Sequence, residues 1–337
     1  MHKTITPPLA GRRGWLITDG KIGMDVQVRG VADALGLAAE MKLVTPAGLH
    51  KFLSPWLLPS KREKIGAGGL LSPPWPDLVL ATGRLSIPYL RAIRRAAGDG
   101  CYTVILQDPK TGASTADLIW VPTHDRLRGA NVITTPTAPH SFTYERLTAL
   151  RAVTNTAIAQ LPQPRCGVIL GGSTSDYPYS DACNHRLAAS LTAIASLGAS
   201  FLITPSRRTH PALLAAVDAA TASSPRLLWD GSGSNPYADF LAHADRFIVT
   251  ADSVNMTSEA AATGRPVHVF MPAGGTPKFE RFHAALRQCG ATRVLPDTLT
   301  ALDDWTYTPL DAGKTIAAEI ARRFSIWRAR SSVVASN

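Results

Sequence analysis

The chain has 337 residues, of which 45% are hydrophobic and 18% are charged, and its formal net charge is +10. This composition is typical of a folded chain of two ordinary domains and excludes an intrinsically disordered protein. The positive charge is not packed into one dense run and no aromatic–basic RNA signature occurs, so phosphorylated ligands and anionic membrane surfaces are favoured over nucleic acid.

The cysteines and the chain start bear on the cellular compartment. The four cysteines are far apart and form no CxxC pair: Cys101, Cys166, Cys183 and Cys289. This spacing is typical of reduced thiols in a cytoplasmic protein. The start has no apolar core of signal-peptide length, and no window approaches ~18 uninterrupted apolar residues. We therefore expect a cytoplasmic protein, with a peripheral position at the inner face of the cytoplasmic membrane as a further alternative.

The first predicted strand leads into a glycine-containing loop. Trp15–Thr18 is a short apolar strand, Asp19–Gly23 is the loop, and a helix follows with Gln27 in its first turn. Strand, glycine loop and helix form the first unit of a doubly wound domain. The loop lacks a full GxGxxG, so it does not predict a dinucleotide site, and an ordinary βα turn is the alternative.

Three later strands of the first half also end in polar residues. These are Gly83-Arg84, Gln107-Asp108-Pro109 and His124-Asp125. Because the carboxyl ends of parallel strands share one sheet edge, we expect the three groups to converge. Arg84 is placed to bind an anion. His124 is a candidate general base with Asp19 as its rival, and a purely structural His-Asp pair is the alternative.

The segment Leu49–Lys64 combines aromatic, aliphatic and basic side chains. Phe52 and Trp56 lie beside Lys61 and Arg62, and two prolines forbid a long helix. This mixture is typical of an interfacial membrane contact. A large surface loop tucked under the domain is the alternative.

The second half repeats the pattern of the first after a break at Leu161–Pro164. Cys166–Leu170 is a strand, and Gly171, Gly172 and Ser173 open a loop that lets the backbone approach a phosphate. A Walker motif is excluded because the Gly-Lys-Ser/Thr is missing. The next strand ends in Ser206, Arg207 and Arg208, which suit a diphosphate, although paired arginines are also common on solvated surfaces.

A third strand–turn–helix unit runs from Arg246 to Pro272. Asp252 or Ser253 can cap the helix that follows the strand, and a helix N-terminus suits phosphate. Glu259 lies about two turns into the helix, where its carboxylate can accept hydrogen bonds from ribose hydroxyls. A simple cap and a solvated carboxylate are the alternative.

Taken together, these motifs resemble a known family. The stretch around Glu259 reads D-S-x-x-M-x-S-E-A-x-x-T-G-R-P, and the first loop reads T-D-G-K-x-G-x-x-x-Q. G-R, Q-D-P, P-x-H-D, T-x-S-R-R-T and K-F follow at the expected places. From Trp15 to about Gly290 the chain resembles the mitochondrial fission (elongated-mitochondria) family and its bacterial members, and more remotely the GT-B glycosyltransferases.

The resemblance implies an α/β fold of two doubly wound, Rossmann-like domains facing a cleft. Residues 1–160 would be the acceptor side, 165–310 the nucleotide-sugar side, and 311–337 a C-terminal helix crossing back to the first domain. The implied nucleotide-sugar ligands are Gly171, Gly172, Ser173, Ser206, Arg207, Arg208, Asp252, Ser253, Asn255, Met256, Ser258, Glu259 and Lys278. The candidate catalytic residues are Asp19, Asp108, His124 and Asp125, and the implied acceptor-side residues are Gly20, Lys21, Gly23, Gln27, Gly83, Arg84 and Gln107.

The function we expect is a metal-independent glycosyltransferase that uses a nucleotide diphosphate sugar in envelope glycan synthesis at the cytoplasmic membrane face. No Asp-x-Asp occurs and the nine histidines are scattered without ligand spacing, so neither a metal nor another cofactor is expected. Leu49–Lys64 would contact an anionic membrane, and no nucleic acid partner is expected. The alternatives are a non-catalytic adaptor of the fission family, or a nucleotide-sugar epimerase or hydrolase.

Overall fold

The computed structural model describes residues 7–60 and 68–334, and these form two compact α/β units. Phe142–Asp311 make up the second unit. The first unit consists of the chain before Phe142 together with the C-terminal segment that starts at Ala312.

A six-stranded sheet forms the centre of the first unit, and all its strands are parallel. The strands are β1 (Arg13–Thr18), β2 (Ala38–Leu43), β3 (Leu78–Ala81), β4 (Tyr102–Ile105), β5 (Leu118–Pro122) and β6 (Val132–Thr135). The order is β2-β1-β3-β4-β5-β6. The first helices of this unit are α1 (Ile22–Leu35), α2 (Gly48–Phe52) and α3 (Ile87–Ala97). Every residue of β3 and β4 is buried, as expected for a parallel sheet covered on both faces.

The second unit has a parallel six-stranded sheet of its own. Its strands are β7 (Arg165–Leu170), β8 (Ser200–Pro205), β9 (Arg226–Leu228), β10 (Arg246–Thr250), β11 (Val267–Phe270) and β12 (Thr292–Val294), in the order β12-β11-β10-β7-β8-β9. Its helices are α4 (Tyr144–Ala152), α5 (Thr156–Ala159), α6 (Asp181–Ser196), α7 (Pro211–Thr221), α8 (Tyr237–His243), α9 (Val254–Ala261) and α10 (Pro277–Gln288). The expected α/β class with two doubly wound, Rossmann-like domains is therefore confirmed.

The division between the units precedes the Leu161–Pro164 break at which the sequence places it. Helix α4 packs within the second unit: Leu147 is part of its core, and Arg151 Nε donates to the carbonyl of Ala242 at 2.6 Å. Residues 142–160 contain two helices, α4 and α5, because Asn155 starts α5 as a new cap and its side chain accepts from the Ile158 N–H.

A long C-terminal helix, α11 (Ala312–Val334), belongs to the first unit. Phe324 is buried and packs edge-on against Tyr102 of β4, with 5.8 Å between the ring centroids. Arg323 donates to the carbonyl of Ala130 at 2.7 Å. Neither this helix nor any other among the described residues has the length and apolar character needed to cross a membrane.

The strand orders decide where ligands are expected. In the first unit the order reverses between β1 and β3, and in the second unit it reverses between β7 and β10. In open α/β sheets, ligands bind outside the carboxyl ends of the strands at such a switch point. Ligands are therefore expected beside the residues that follow β1 and β3, and beside those that follow β7 and β10.

Candidate functional site

The glycine loop after β7 lies directly against the turn after β10. The Gly171 N–H donates to Thr250 Oγ1 at 2.7 Å, and the Gly172 N–H donates to Asp252 Oδ2 at 3.0 Å. A Cβ atom on Gly171 would lie 2.2 Å from both Asp252 oxygens. Only glycine permits this close approach of the two turns.

Asp252 joins the turns after β7, β8 and β10. Its side chain is fully buried. Oδ1 accepts hydrogen bonds from Tyr179 Oη and Thr250 Oγ1, both at 2.8 Å, and Oδ2 accepts from Arg208 at 3.2 Å in addition to Gly172. The carboxylate that the sequence assigns to the nucleotide sugar is therefore engaged within the protein, where it positions the loops around it.

The turn after β8 brings arginines to the same place. Thr209 Oγ1 donates to the Gly171 carbonyl at 2.6 Å and accepts from the Ser206 N–H at 2.9 Å, which fixes the turn against the glycine loop. Arg208 is half-exposed and forms the ion pair with Asp252. Arg207 is exposed, and no hydrogen bond or ion pair connects it to another residue in the described ranges. Its charge is available to a ligand.

Helix α9 starts at this edge of the sheet. Ser253 is its N-cap, with the side-chain oxygen accepting from the Met256 N–H at 3.3 Å. The first turn of the helix, which contains Asn255, presents N–H groups and the positive end of the helix dipole. Ser258 is buried and its hydroxyl donates to the Val254 carbonyl at 2.7 Å, so it serves the helix itself.

Glu259 is buried and accepts a short hydrogen bond. Tyr237 Oη, at the start of α8, donates to Glu259 Oε2 at 2.5 Å. Burial raises the pKa of Glu259 to about 7, while the Tyr237 hydroxyl acts in the opposite direction. Phe142 packs edge-on against Tyr237 with 5.6 Å between centroids. Lys278, the remaining predicted ligand of this unit, lies exposed in the first turn of α10.

Two residues that sequence reasoning missed support this site. Tyr179 lies in a Pro-containing loop with no periodic pattern, and burial together with the Asp252 charge raises the pKa of its hydroxyl. His283 of α10 is buried with Nε2 3.0 Å from the Ala251 carbonyl, and burial lowers the pKa of His283 to about 4. A neutral His283 that donates from Nε2 holds the turn after β10.

In the first unit, the carboxylate of Asp19 is buried at the switch point between β1 and β3. Its side chain is 2% exposed, and neither oxygen accepts a hydrogen bond within the described residues. Its one ion pair there is with Lys21, whose Nζ is 3.1 Å from Oδ2 and is itself exposed. A Cβ on Gly83 would lie 3.1 Å from Asp19 Oδ1, so the loops after β1 and β3 meet at this carboxylate. Most buried carboxylates accept hydrogen bonds, so these oxygens have capacity for a ligand.

The loop after β4 completes this cluster. Gln107 Oε1 accepts from the Gly83 N–H at 3.0 Å. Asp108 binds within its own loop, because the N–H and Nζ of Lys110 contact its two oxygens at 2.9 and 2.5 Å. Asp19, Gly83 and Gln107 are therefore brought together, whereas Asp108 is held by Lys110.

The remaining predicted residues of the first unit have other surroundings. His124 is buried and Asp125 is half-buried in the turn after β5, and β5 lies two strands from β3 in the sheet. In this turn Arg128 donates to the carbonyls of Thr123 and Asp125 at 2.9 and 2.7 Å. The other acceptor-side residues lie in the loop after β1 and in α1: Gly20, Lys21, Gly23 and Gln27.

Arg84 does not stand free to bind an anion, as its sequence position suggests. Its guanidinium donates to the carbonyls of Phe52 and Ser54, and Ser54 Oγ donates to the Arg84 carbonyl at 2.8 Å. The side chain fastens the segment after α2 to the turn after β3. Within residues 7–60 and 68–334, no group of three or more His, Cys, Asp or Glu side chains is arranged to hold a metal ion.

Comparison with known proteins identifies the family. A sequence model described as mitochondrial fission ELM1 matches residues 22–324. The chain belongs to this family. The mitochondrial fission protein ELM1 of Arabidopsis thaliana is 28% identical over 282 residues, covering 76% of this chain and 66% of the plant protein. The uncharacterized protein RP120 of Rickettsia prowazekii is 31% identical over 156 residues, 44% of either chain. This ELM1-family chain thus matches less than two thirds of the length of these relatives.

Several solved structures share the fold of this chain. A UDP-GlcNAc 2-epimerase from Methanocaldococcus jannaschii aligns over 93% of this chain and 99% of its own, with a TM-score of 0.52 and 10% identity. MurG from Acinetobacter baumannii aligns over 86% and 87%, with a TM-score of 0.51 and 16% identity. S. aureus MnaA, solved with UDP, aligns over 93% and 89%, with a TM-score of 0.50 and 11% identity. At these identities the likeness shows a GT-B-like fold and nothing finer.

Proposed function

We propose that this ELM1-family chain is a glycosyltransferase that binds a nucleotide diphosphate sugar in its second unit. The observation that carries the proposal is the meeting of three turns at the switch point between β7 and β10. There, the glycine loop packs against the turn before α9, the first turn of α9 presents N–H groups, and Arg208, which follows Arg207, forms an ion pair with Asp252. Backbone N–H groups, a helix N-terminus and arginine are the groups that bind phosphate in proteins.

In this proposal the diphosphate lies between the glycine loop and the start of α9. Arg207 and Lys278, both exposed, supply positive charge. Charge that develops on the leaving diphosphate is offset by these side chains and the helix N-terminus, without a metal. Tyr237 Oη donates to Glu259 Oε2 in the structure. In this proposal the ribose hydroxyls replace Tyr237 as the hydrogen-bond donors to the Glu259 carboxylate.

The proposed chemical step uses Asp19 as the general base. The acceptor hydroxyl passes its proton to the Asp19 carboxylate while its oxygen bonds to C1 of the sugar. The bond from C1 to the diphosphate oxygen breaks, and the nucleoside diphosphate leaves with the electron pair. Asp19 fits this role because its buried oxygens accept no hydrogen bond from the described residues. His124 remains the rival base.

The test of the proposal is donor binding followed by turnover. Thermal unfolding is measured with a panel of nucleotides and nucleotide sugars, and ligands that stabilise the protein are then tested for release of nucleoside diphosphate. A stabilising nucleotide sugar whose turnover is lost in Asp19→Asn, with binding retained, supports the transferase. An effect of His124→Gln in place of Asp19→Asn would transfer the base role to His124.

The adaptor alternative is favoured by a separate observation, the exposed apolar side chains in α2 and directly after it. The Arabidopsis relative carries the name of a mitochondrial fission protein, which also fits an adaptor. Donor binding without any turnover would support the adaptor. Conversion of the donor to its epimer, or its hydrolysis without an acceptor, would support the epimerase or hydrolase instead.

A further inference from the structure

Four large apolar side chains are exposed on one short segment of the first unit. Leu49 is 63% exposed, Phe52 78%, Leu53 37% and Trp56 64%. We name these four residues the apolar face. The spacing of the first three is i, i+3, i+4, which places them on one side of helix α2, and the Trp56 N–H donates to the Leu53 carbonyl at 2.9 Å in the following turn.

The backbone of this segment is fastened from beneath. Arg84 donates to the Phe52 and Ser54 carbonyls, and Arg91 donates to those of Pro55 and Trp56 at 3.1 and 3.0 Å. Ser54 is fully buried. Isolated exposed apolar residues are normal on protein surfaces, but an adjacent group marks a contact surface. In this segment the backbone carbonyls bind the two arginines, while the apolar side chains are exposed to solvent.

The same contacts connect the apolar face to the buried carboxylate of Asp19. Arg84 follows Gly83, and the loop at Gly83 lies against Asp19 Oδ1. On the other side, a Cβ on Gly20 would lie 2.9 Å from Leu43 Cδ1, and Leu43 is 51% exposed. The apolar face and Asp19 are therefore both in contact with the loop after β3, and the exposed Leu43 borders the loop after β1.

The charge of the segment indicates what covers it. Residues 49–64 contain four basic residues, Lys51, Lys61, Arg62 and Lys64, against one acidic residue, Glu63. Lys51 is exposed beside the apolar face, and Lys61 to Lys64 lie outside the described residues. An apolar face with an exposed lysine beside it, in a segment of net positive charge, complements an anionic bilayer, in which the lipid interface takes the apolar groups and the phosphates attract the cations.

We propose that the apolar face docks on an anionic lipid bilayer, and that the acceptor is an amphiphile drawn from that bilayer with its polar head at Asp19. The acceptor assignment rests on the glycosyl transfer proposed above, whereas the docking does not. The head-group hydroxyl gives its proton to Asp19 and its oxygen replaces the nucleoside diphosphate on C1, so the product remains in the membrane.

Vesicle binding tests the docking. The protein is sedimented with phosphatidylcholine vesicles, with and without phosphatidylglycerol. We expect binding that requires phosphatidylglycerol, and a loss of roughly tenfold or more in partition for the double variant Phe52→Ser, Trp56→Ser. Lys51→Gln should lose roughly fivefold. The matched control is Tyr144→Ser, Val153→Ser, which removes two apolar side chains exposed in the second unit and should bind like the parent.

Two results would overturn the docking. One is equal vesicle binding by the parent and by the Phe52→Ser, Trp56→Ser variant. The other is self-association of the parent, but not of the variant, in sedimentation velocity, together with equal vesicle binding by the two proteins. This result would make the apolar face a contact between copies of this chain.

Product partition tests the acceptor. Labelled UDP-N-acetylglucosamine and other labelled nucleotide sugars are incubated with vesicles of a bacterial total lipid extract. We expect label in the organic phase, and its loss in Asp19→Asn while vesicle sedimentation is unchanged. Label found only in a water-soluble product would overturn the acceptor class while leaving the transferase intact. Absence of donor binding would overturn the transferase and the acceptor together, and the vesicle result would still decide the docking.

Discussion

Replacing Asp252 with alanine removes a carboxylate on which three turns of the second unit converge. Three neutral donors then lose their acceptor in the interior: the Gly172 N–H and the hydroxyls of Tyr179 and Thr250. An unsatisfied buried donor costs about 1–3 kcal/mol, so the lower limit for three donors is about 3 kcal/mol. Arg208 adds little because its guanidinium is half-exposed and regains water. For a unit of this size the loss corresponds to a fall of roughly 6–12 °C in Tm.

The assay has to report on the second unit alone. Hydrogen exchange of the β7 and β10 amides, measured against urea concentration, gives the free energy of unfolding of that sheet. The control is Asp297→Ala, which removes an exposed carboxylate that lies 3.8 Å from Arg186, and it should change stability by less than about 0.5 kcal/mol. If Asp252→Ala left stability unchanged and abolished nucleotide binding, the carboxylate would be a ligand group and would not be the structural acceptor for the three donors.

Three further predictions follow from single contacts. Gly171→Ala places a Cβ 2.2 Å from both Asp252 oxygens and should cost about 1–3 kcal/mol in urea unfolding, whereas Gly100→Ala, whose Cβ meets nothing within 4 Å, should cost far less. Burial raises the pKa of Glu259 from 4.5 to about 7, so the folded state binds a proton more tightly than the unfolded state. The free energy of unfolding should therefore be highest below pH 4.5 and should fall as the pH rises to 7, by up to about 3 kcal/mol relative to Glu259→Gln. Parallel pH profiles of the two proteins would contradict this. Arg84→Ala frees the carbonyls of Phe52 and Ser54 and should speed hydrogen exchange in residues 52–57 without changing donor affinity, while unchanged exchange would show that Arg91 alone holds the segment.

Much of the fold could be predicted from the sequence because each strand is a short apolar run bounded by polar or glycine residues. The predicted strands Trp15–Thr18 and Cys166–Leu170 end at the same residues as β1 (Arg13–Thr18) and β7 (Arg165–Leu170). Strand β12 was not predicted, since Thr292–Val294 contains an exposed arginine and an exposed valine and has no buried run. The family resemblance was confirmed by the match over residues 22–324.

The local roles of the site residues were harder to predict. Sequence position correctly placed polar groups at the carboxyl ends of strands, because that follows from parallel topology. It could not show that Arg84 binds the carbonyls of Phe52 and Ser54, thirty residues away in the chain, or that Tyr179 donates to Asp252. Tertiary packing decides which residues become such partners, and the hydrophobic periodicity of the sequence carries no information about them.

Donor binding by the second unit can be measured by calorimetric and thermal titration of the intact protein with nucleotide diphosphate sugars. At a hundredfold over its dissociation constant a true donor should add about 2.7 kcal/mol and raise the Tm of the unit that binds it by roughly 5–10 °C. The effect should be weakened by Arg207→Ala and kept by the Tyr144→Ser, Val153→Ser control. Absence of heat and of any thermal shift with every nucleotide and nucleotide sugar tested would contradict the donor site and leave the adaptor as the account of this chain.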